Sequence, residues 1–344
     1  MIAPDDLSAC KEAIRHGSLS FHAASKLLPG KVRDPALALY AFCRLADDEV
    51  DLKADKVASV LRLRDRLDAV YAGRPANAAP DRAFAAVVEQ FHMPRALPDA
   101  LLEGLAWDAD ARTYADLSGV LDYSARVASA VGAMMCVLMG VRDANALARA
   151  CDLGAAMQLT NIARDVGEDA LEGRLYLPTD WLDAAGIDRD AFLINPRPTK
   201  AVRAMTRRLV MEANRLYYRA EAGIAALPLS SRPGIFAARL IYAGIGGRLR
   251  GAEYDSISAR ARTGKAAKLA WLAEASLRTG ASVVMPRSAV LYAPPLPEVA
   301  FLVDAAADAM PRGRSDSLFD ALAALEARRQ SERATLMRSR APLA

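Results

Sequence analysis

The sequence predicts an all-α protein. Apolar residues make up 53% of the 344 residues, and many of them are Ala and Leu, whereas aromatic residues account for 6%. In segment after segment the apolar residues recur at helical spacing, and no segment shows the alternation of a half-buried strand. No clear linker or internal repeat divides the chain. We therefore expect a single domain over residues 1–344, with a core at about residues 8–280 and a flexible basic tail at residues 326–344.

The helices are bounded by residues that interrupt helical periodicity. Pro29 and Gly30 end the second helix, Pro35 suits the first turn of the third, and Pro-rich or Gly-rich loops follow at 73–80, 228–233 and 286–297. The pattern predicts helices at Asp6–His16, Phe21–Leu28, Pro35–Leu52, Val57–Tyr71, Arg82–His92, Leu97–Asp110, Tyr123–Val141, Ala144–Leu171, Arg203–Leu227, Gly234–Ala252, Thr263–Thr279, Glu298–Met310 and Ser317–Arg329.

Composition and charge exclude several classes of function. A net charge of +4 is too small and too dispersed to indicate nucleic-acid binding. The four cysteines form no CxxC pair, which argues against a zinc site or a disulfide framework and favours a reducing, cytoplasmic compartment. The chain opens without a secretory signal pattern. The longest apolar run, Val127–Val141, is shorter than the roughly 20 residues that span a bilayer, so we expect a buried helix there.

An acidic stripe is predicted on the helix Ala144–Leu171. Asn161, Asp165 and Asp169 are four residues apart, and Gln158 lies one turn earlier, so their side chains share one helix face. The flanking residues are apolar enough to bury this helix, and no Lys run matches the acids. Because a buried carboxylate needs a partner, a hard divalent cation that holds an anionic ligand is the natural candidate.

A second acidic stripe is predicted on the helix Pro35–Leu52. Tyr40, Arg44, Asp47 and Asp51 follow one another at steps of four, three and four. Two such stripes facing each other across a cavity suit Mg²⁺, with Mn²⁺ as an alternative, and leave coordination positions for a substrate diphosphate. Arg44 and Arg164 would add charge-assisted hydrogen bonds to that anion. A neutralised diphosphate leaves readily, which predicts ionisation to a carbocation.

Less specific interpretations apply to the same residues. An isolated DDEVD segment is typical of a solvated helix end, and Tyr123, Tyr176 and Tyr242 are by default core aromatics with a satisfied hydroxyl. The three histidines lie in no metal-binding motif. Gly244, Gly246 and Gly247 resemble part of a GxGxxG dinucleotide-binding loop, but the sixth position of that motif is Leu249 and no strand precedes it. We therefore expect no nicotinamide cofactor.

Three segments resemble the squalene and phytoene synthase family. They are GSLSF at 17–21, ALYAFCRLADDEVD at 38–51 and NIARDVGEDALEGRLYLP at 161–178, and the resemblance extends over roughly residues 17–268. Within the family, the sequences of these segments are most similar to those of the bacterial phytoene synthases. This resemblance implies an isoprenoid-synthase (terpenoid-synthase) helical bundle around a central cavity, with the two acidic stripes on opposing helices.

The resemblance also implies roles for individual residues. The implied metal ligands are Asp47, Asp51, Asn161, Asp165 and Asp169. The implied substrate-contacting residues are Gly17, Ser18, Leu19, Ser20, Tyr40, Arg44, Gln158, Arg164 and Tyr242. Catalysis falls on Asp47, Asp51 and Asp165, and on the cavity residues Tyr123, Arg174 and Tyr176 that handle a cyclopropyl intermediate. Two departures affect the cavity rather than the reaction: Leu19 replaces a common Lys or Arg, and residues 124–129 lack the usual YCYxVAG pattern.

The implied reaction is head-to-head condensation of two geranylgeranyl diphosphates through prephytoene diphosphate to phytoene, in carotenoid biosynthesis. Two alternatives remain: a farnesyl diphosphate-using synthase that makes presqualene diphosphate or dehydrosqualene, and a catalytically silent relative that acts as an assembly protein. The expected partners are the prenyl diphosphate, downstream carotenoid enzymes and, because phytoene is wholly apolar, the inner face of the membrane as a peripheral contact. We expect no nucleic acid as a partner.

Overall fold

Helices joined by turns make up the part of the chain that the structure describes, and this part contains no β-strand, as the sequence predicts. The computed structural model describes residues 2–17, 19–51 and 56–308, and gives the backbone alone for residues 15–17, 19–21, 47, 50, 51 and 308. The helices are α1 (Pro4–Gly17), α2 (Leu19–Ser25), α3 (Gly30–Asp51), α4 (Lys56–Tyr71), α5 (Ala79–Phe91), α6 (Ala96–Ala109), α7 (Leu117–Ser124), α8 (Ala130–Leu138), α9 (Ala144–Leu171), α10 (Thr179–Ala184), α11 (Arg189–Ile194), α12 (Lys200–Ile224), α13 (Arg232–Gly251), α14 (Lys265–Val284) and α15 (Ala300–Asp308).

Helix α9 runs through the middle of this bundle. Its first turn is capped by Asp143, whose carboxylate accepts a hydrogen bond from the Ala146 N–H at 2.9 Å. Helix α12 packs along it, and α8, α13 and α15 contact other sides of it. Alanine and glycine are frequent at its buried positions, so neighbouring backbones approach closely. The acidic stripe therefore lies on the most enclosed long helix of the described chain.

A single π-helical turn at Ala125–Ser129 joins α7 and α8 into one apolar rod. By length and composition this rod, Leu117–Leu138, is long and apolar enough to cross a membrane, with a mean hydropathy of 1.3. However, 67% of its most apolar window is buried inside the fold, as is usual for the core helix of a soluble protein. The π turn widens the helix at Val127 and Ala128, which both line the central cavity.

Two glycines allow the backbone of α9 to contact the backbone of the α7–α8 rod directly. A Cβ atom on Gly154 would lie 2.5 Å from the Ala128 carbonyl oxygen, and a Cβ atom on Gly132 would lie 2.6 Å from the Ala150 carbonyl oxygen. The Ser129 hydroxyl donates to the Cys151 carbonyl at 2.7 Å across the same contact. Since backbone atoms cannot move aside as a flexible side chain does, this packing depends on glycine.

Gly154→Ala should therefore lower the free energy of unfolding by about 1–3 kcal/mol, the usual cost of forcing an extra carbon into a packed core. Gly247→Ala is the matched control, because that helical glycine is exposed and has no atom within 4 Å of its added Cβ. The control should be stabilised by roughly 0.5–1 kcal/mol. Urea unfolding followed by circular dichroism measures both, and equal stabilities would contradict the packing argument.

A buried ion cluster fixes the segment that follows α14. Arg149 and Asp152 are fully buried and paired at 2.7 Å, and Arg219 reaches the same carboxylate at 3.0 Å. Arg149 also donates to the carbonyls of Val290 and Ala293 at 2.7 and 2.9 Å. These bonds satisfy the terminal nitrogens of the buried guanidinium and hold residues 290–294 against α9.

Several helix boundaries differ from the predicted ones. Helix α3 begins at Gly30, so Pro35 lies in its second turn rather than its first, and α14 continues to Val284. Helices α10 and α11 have six residues each, too few to show a period, and sequence inspection missed them. Residues 309–344 lie outside the described residues, so the predicted helix Ser317–Arg329, the basic tail and the single domain over 1–344 stay predictions.

Candidate active site

The bundle encloses a cavity of about 990 Å³. It follows α9 from Ala146 to Asp169, a distance of about 35 Å at the helical rise. The first half of the α9 wall is mainly apolar, with Ala150, Leu153 and Met157, and includes Arg149, which is paired with Asp152; the second half carries polar groups. The opposite sides come from α3, α6, α8 and α13. The cavity therefore has one long apolar compartment and one charged end.

The predicted acidic stripe lines the charged end. Gln158, Asn161, Asp165 and Asp169 all face the cavity, and so does the neighbouring Arg164. Asp165 has cationic partners, contrary to the expectation that its carboxylate lacks one. Arg164 Nε lies 2.7 Å from Asp165 Oδ1, and Arg260 Nε lies 2.9 Å from the same oxygen.

Arg260 was missed by sequence inspection because it lies in the loop between α13 and α14 and belongs to no periodic pattern. The loop is held on α9 at Gly167, whose N–H donates to the Ser256 carbonyl at 3.2 Å. A Cβ atom on Gly167 would lie 2.9 Å from Ile257 Cα, so the close approach requires glycine. Arg260 then also reaches Glu168 at 2.9 Å. It lines the cavity with Arg262 and Lys268, which adds positive charge at the acidic end.

Asp169 is the stripe residue whose negative charge is least balanced by neighbouring cations. Burial, together with the charge of Asp165, raises its pKa to about 8. No ion pair to Asp169 is present among the side chains that the structure describes. With Asn161 and Asp165 it offers oxygen donors on one helix face, the donor chemistry that suits Mg²⁺. The set fits a hard divalent cation that would compensate this carboxylate.

The other acidic stripe is described in part. Tyr40 and Arg44 line the cavity from α3, and Arg44 also pairs with Asp48, with an Nη2–Oδ1 distance of 2.6 Å. Asp47 and Asp51 continue the register of Tyr40 and Arg44 along the α3 backbone, but their side chains lie outside the described residues. Among the side chains described, no three from Asp, Glu, His and Cys form a metal site by themselves. Metal binding that involves Asp47 and Asp51 stays a prediction.

The predicted substrate-contacting residues at 17–20 have no described side chains. Gly17 ends α1, and Leu19 and Ser20 begin α2, with only their backbone described. Ser18 lies outside the described residues. The neighbouring residues Ala24 and Ser25 on α2 do line the cavity.

A carboxylate inside the cavity holds two of the predicted tyrosines. Asp108 Oδ2 accepts a hydrogen bond from the Tyr123 hydroxyl at 2.9 Å, and Oδ1 accepts one from the Tyr176 hydroxyl at 2.7 Å. The two rings stack with centroids 5.0 Å apart. Burial, followed by the nearby Asp108 charge, raises the pKa of Tyr176, and burial raises the pKa of Tyr123 as well. Both hydroxyls are therefore neutral donors at physiological pH.

Asp108 was the second residue that sequence inspection missed. It ends a stripe on α6 that begins with Leu101 and Leu105, at steps of four and three, and all three line the cavity. An acid that continues an apolar helix face is the signal that was available in the sequence.

A glycine turns the chain back toward the cavity after α9. Helix α9 ends at Leu171, and Gly173 adopts φ +76°, the left-handed conformation that terminates many helices. The Arg174 N–H then donates to the Asp169 carbonyl at 2.7 Å. Because of this reversal Arg174 and Tyr176 line the same cavity as the stripe they follow.

Tyr242, on α13, also lines the cavity. Eleven of the predicted residues therefore line it: Tyr40, Arg44, Tyr123, Gln158, Asn161, Arg164, Asp165, Asp169, Arg174, Tyr176 and Tyr242.

A family model described as squalene/phytoene synthase matches residues 14–269. The chain belongs to the squalene/phytoene synthase family. It is 61% identical over 338 residues to a phytoene synthase of Cereibacter sphaeroides, covering 95% of both chains. It is 60% identical over 332 residues to a phytoene synthase of Rhodobacter capsulatus, covering 95% of this chain and 98% of that one.

A solved structure shows the same architecture. A crystal structure of a dehydrosqualene synthase in complex with ligand matches with a TM-score of 0.74 and 29% sequence identity, covering 80% of this chain and 97% of that chain. The predicted isoprenoid-synthase fold is confirmed.

Proposed function

We propose that this protein is a phytoene synthase that condenses two geranylgeranyl diphosphates head to head, through prephytoene diphosphate, to phytoene. The observation that carries the proposal is the cavity, in which an apolar compartment runs along α9 and ends at a cluster of carboxylates and arginines. The high identity to phytoene synthases across nearly the whole chain supports the same activity and a prenyltransferase type of enzyme.

The two ends of the cavity match the two ends of the substrate. The apolar residues Ala150, Leu153 and Met157 would contact the prenyl chains, and Arg44, Arg164 and Arg260 at the charged end would bind diphosphate oxygens. Arg164 and Arg260 are at present bonded to Asp165, so they would exchange part of this contact for the diphosphate. The same walls would keep water from the allylic cation of the first ionisation and from the cyclopropylcarbinyl cation of the second.

Mg²⁺, with Mn²⁺ as an alternative, would be held by Asp47, Asp51, Asn161, Asp165 and Asp169, and when bound would neutralise the departing diphosphate. The donor atoms on α9 fit this role, since they are oxygens on one face with an undercompensated carboxylate at Asp169.

The chemistry of the two steps needs no reductant. In the first, one substrate loses diphosphate and its C1 is attacked by the double bond of the second, and loss of a proton closes the cyclopropane. In the second, the remaining diphosphate leaves, the carbon skeleton rearranges, and another proton loss gives the central double bond. Two diphosphates and two protons are released in all, so no hydride from a nicotinamide enters the balance.

The tyrosine pair would act on the cyclopropyl intermediate. Asp108 holds the Tyr123 and Tyr176 hydroxyls in fixed orientations within the cavity. Their raised pKa keeps them protonated, and their stacked rings offer π faces that stabilise carbocations.

A farnesyl diphosphate-using synthase is the second candidate, because the fold match includes a dehydrosqualene synthase. Offering geranylgeranyl and farnesyl diphosphate separately, with Mg²⁺ and no nicotinamide, decides between them. We expect a 40-carbon hydrocarbon from geranylgeranyl diphosphate at a rate at least about tenfold above that of the 30-carbon product. A dominant 30-carbon product would reassign the substrate, and the absence of diphosphate release from either would favour a silent assembly protein.

The proposed location is cytoplasmic, with peripheral contact to the inner face of the membrane and delivery of product to downstream carotenoid enzymes. An apolar 40-carbon product has to enter lipid or a partner enzyme, which supports membrane contact. Cell fractionation tests the location: the protein should pellet with membranes at low salt and be released by high salt or carbonate, without detergent.

A further inference from the structure

Helix α14 carries an apolar face that no described residue covers. Along this helix Ala275 is the single residue that is fully buried. Leu269, Leu277 and Val284 are exposed by 67, 76 and 83%. They lie at steps of eight and seven residues, about two helical turns each, so they share one side of the helix. The small exposed residues Ala273 and Ala281 fill the positions between them.

The opposite face of α14 accounts for its place in the fold. Trp271 packs against α13 at Gly244, where a Cβ atom would lie 2.1 Å from the Trp271 ring. Arg278 bonds Glu274 at 2.8 Å and also reaches Glu221 on α12. These contacts fix α14 on the bundle and leave the apolar stripe without a function in core packing.

Basic residues lie near both ends of this stripe. From Ala261 to Arg287 the chain has five Lys or Arg residues and one acid, Glu274, which is paired with Arg278. Lys265 and Arg287 are exposed near the two ends of the helix. Arg232 donates to the Ser282 carbonyl at 3.2 Å, which ties the start of α13 and the nearby exposed Leu229 to the apolar end formed by Val283 and Met285.

We propose that the α14 face, defined by Leu269, Leu277, Val284, Lys265 and Arg287, docks on the surface of an anionic lipid bilayer. An apolar helix face about 22 Å long, from Leu269 to Val284, with basic residues near its ends is the pattern of a helix that lies in the membrane interface. The proposal rests on the peripheral location proposed above and adds the surface that makes the contact. Thr263 and Lys268 line the cavity, so docking on this face would place one edge of the cavity at the lipid.

Charge favours lipid over protein occupants. If two copies of the chain paired through antiparallel α14 faces, Lys265 of each copy would lie near Arg287 of the other, and these like charges would repel. Residues 309–344 contain seven Arg and four acidic residues, so this segment of the chain also adds positive charge. An anionic bilayer is the surface whose charge is complementary to the basic ends of α14.

The test is sedimentation of the full-length chain with vesicles that contain anionic phosphatidylglycerol, compared with neutral phosphatidylcholine vesicles. Replacing Leu269, Leu277 and Val284 together by Glu should lower the bound fraction at least about tenfold. The matched control replaces Leu61, Ile194 and Met211 by Glu, three exposed apolar residues elsewhere that give the same change in charge. Equal loss in both variants would overturn the proposal, because the change in net charge alone would explain the loss of binding.

Replacing both Lys265 and Arg287 by Gln should weaken binding to the anionic vesicles and reduce the salt dependence of that binding.

A polarity-sensitive dye on Leu277→Cys distinguishes the occupants of the face, with dye on Ile194→Cys as control. A blue shift that requires anionic vesicles supports docking. A shift without vesicles overturns it: dependence on protein concentration would indicate a second copy, and independence would indicate another part of the same chain. Turnover in detergent micelles is measured separately, so a failed docking surface can be told from a failed catalytic proposal.

Discussion

Asp165→Ala is expected to reduce the turnover of prenyl diphosphate by about 10³-fold while leaving the helical content unchanged. Asp165 lines the charged end of the cavity, and its side chain is 13% exposed. Its loss removes a predicted cation ligand and leaves Arg164 and Arg260 without the acceptor that now orients them. Both consequences weaken binding and neutralisation of the departing diphosphate. Diphosphate release measures turnover, and far-ultraviolet circular dichroism measures helicity. We expect the same loss for Asp47→Ala.

Glu168→Gln is the matched control for this prediction. Glu168 is on the same helix and bonds the same Arg260 at 2.9 Å, but its side chain is half exposed and does not line the cavity. Its replacement should change turnover by less than roughly threefold, since exposed ion pairs contribute little. If Asp165→Ala kept near-normal activity, or if Glu168→Gln lost as much, the assignment of the diphosphate end would be wrong. Titration with Mg²⁺ adds a second readout, because loss of a ligand should raise the concentration of metal needed for half activity.

The sequence predicts the all-α fold and the α9 stripe because both depend on local periodicity. Apolar spacing places Gln158, Asn161, Asp165 and Asp169 on one face, and the structure brings that face to the cavity. The cationic partner of Asp165 could not be predicted in this way. Arg260 is 95 residues further along the chain and reaches Asp165 because Gly167 lets the loop at Ser256 approach α9.

Asp108 shows a different limit of prediction from sequence. Its position after Leu101 and Leu105 on α6 marks it as a polar residue on a buried face, but its partners are 15 and 68 residues away. Pairing it with Tyr176 requires the reversal at Gly173; periodicity indicates only the end of a helix there, and it was the family resemblance that placed Tyr176 in the cavity. Residues that meet through tertiary packing are therefore the part of the site that periodicity alone does not give.

Asp108→Asn is expected to lower kcat by about 10- to 100-fold, with a small change in KM. The amide keeps the shape of the carboxylate but presents one oxygen acceptor and one NH₂ donor. It can accept from Tyr123 or from Tyr176 but not from both in their present positions, so one buried hydroxyl has to rotate or lose its bond. Binding of the diphosphate takes place at the other groups of the charged end, and for this reason KM should change little. Steady-state kinetics with product analysis measures the effect, and accumulation of the cyclopropyl diphosphate would locate the defect in the second step.

The tyrosines beside Asp108 provide an internal comparison. Tyr114 stacks on Tyr123 with centroids 5.5 Å apart, and its buried hydroxyl has no hydrogen-bond partner among the described residues. Tyr114→Phe should therefore leave kcat unchanged, whereas Tyr176→Phe should reproduce a large part of the Asp108→Asn loss, because it removes a hydroxyl that is held by Asp108. Since both changes delete one phenolic oxygen from the same aromatic cluster, a general packing defect would lower activity in both. Equal losses would mean that the cluster acts through packing, and a loss confined to Tyr176 and Asp108 would mean that the oriented hydroxyl takes part in handling the intermediate.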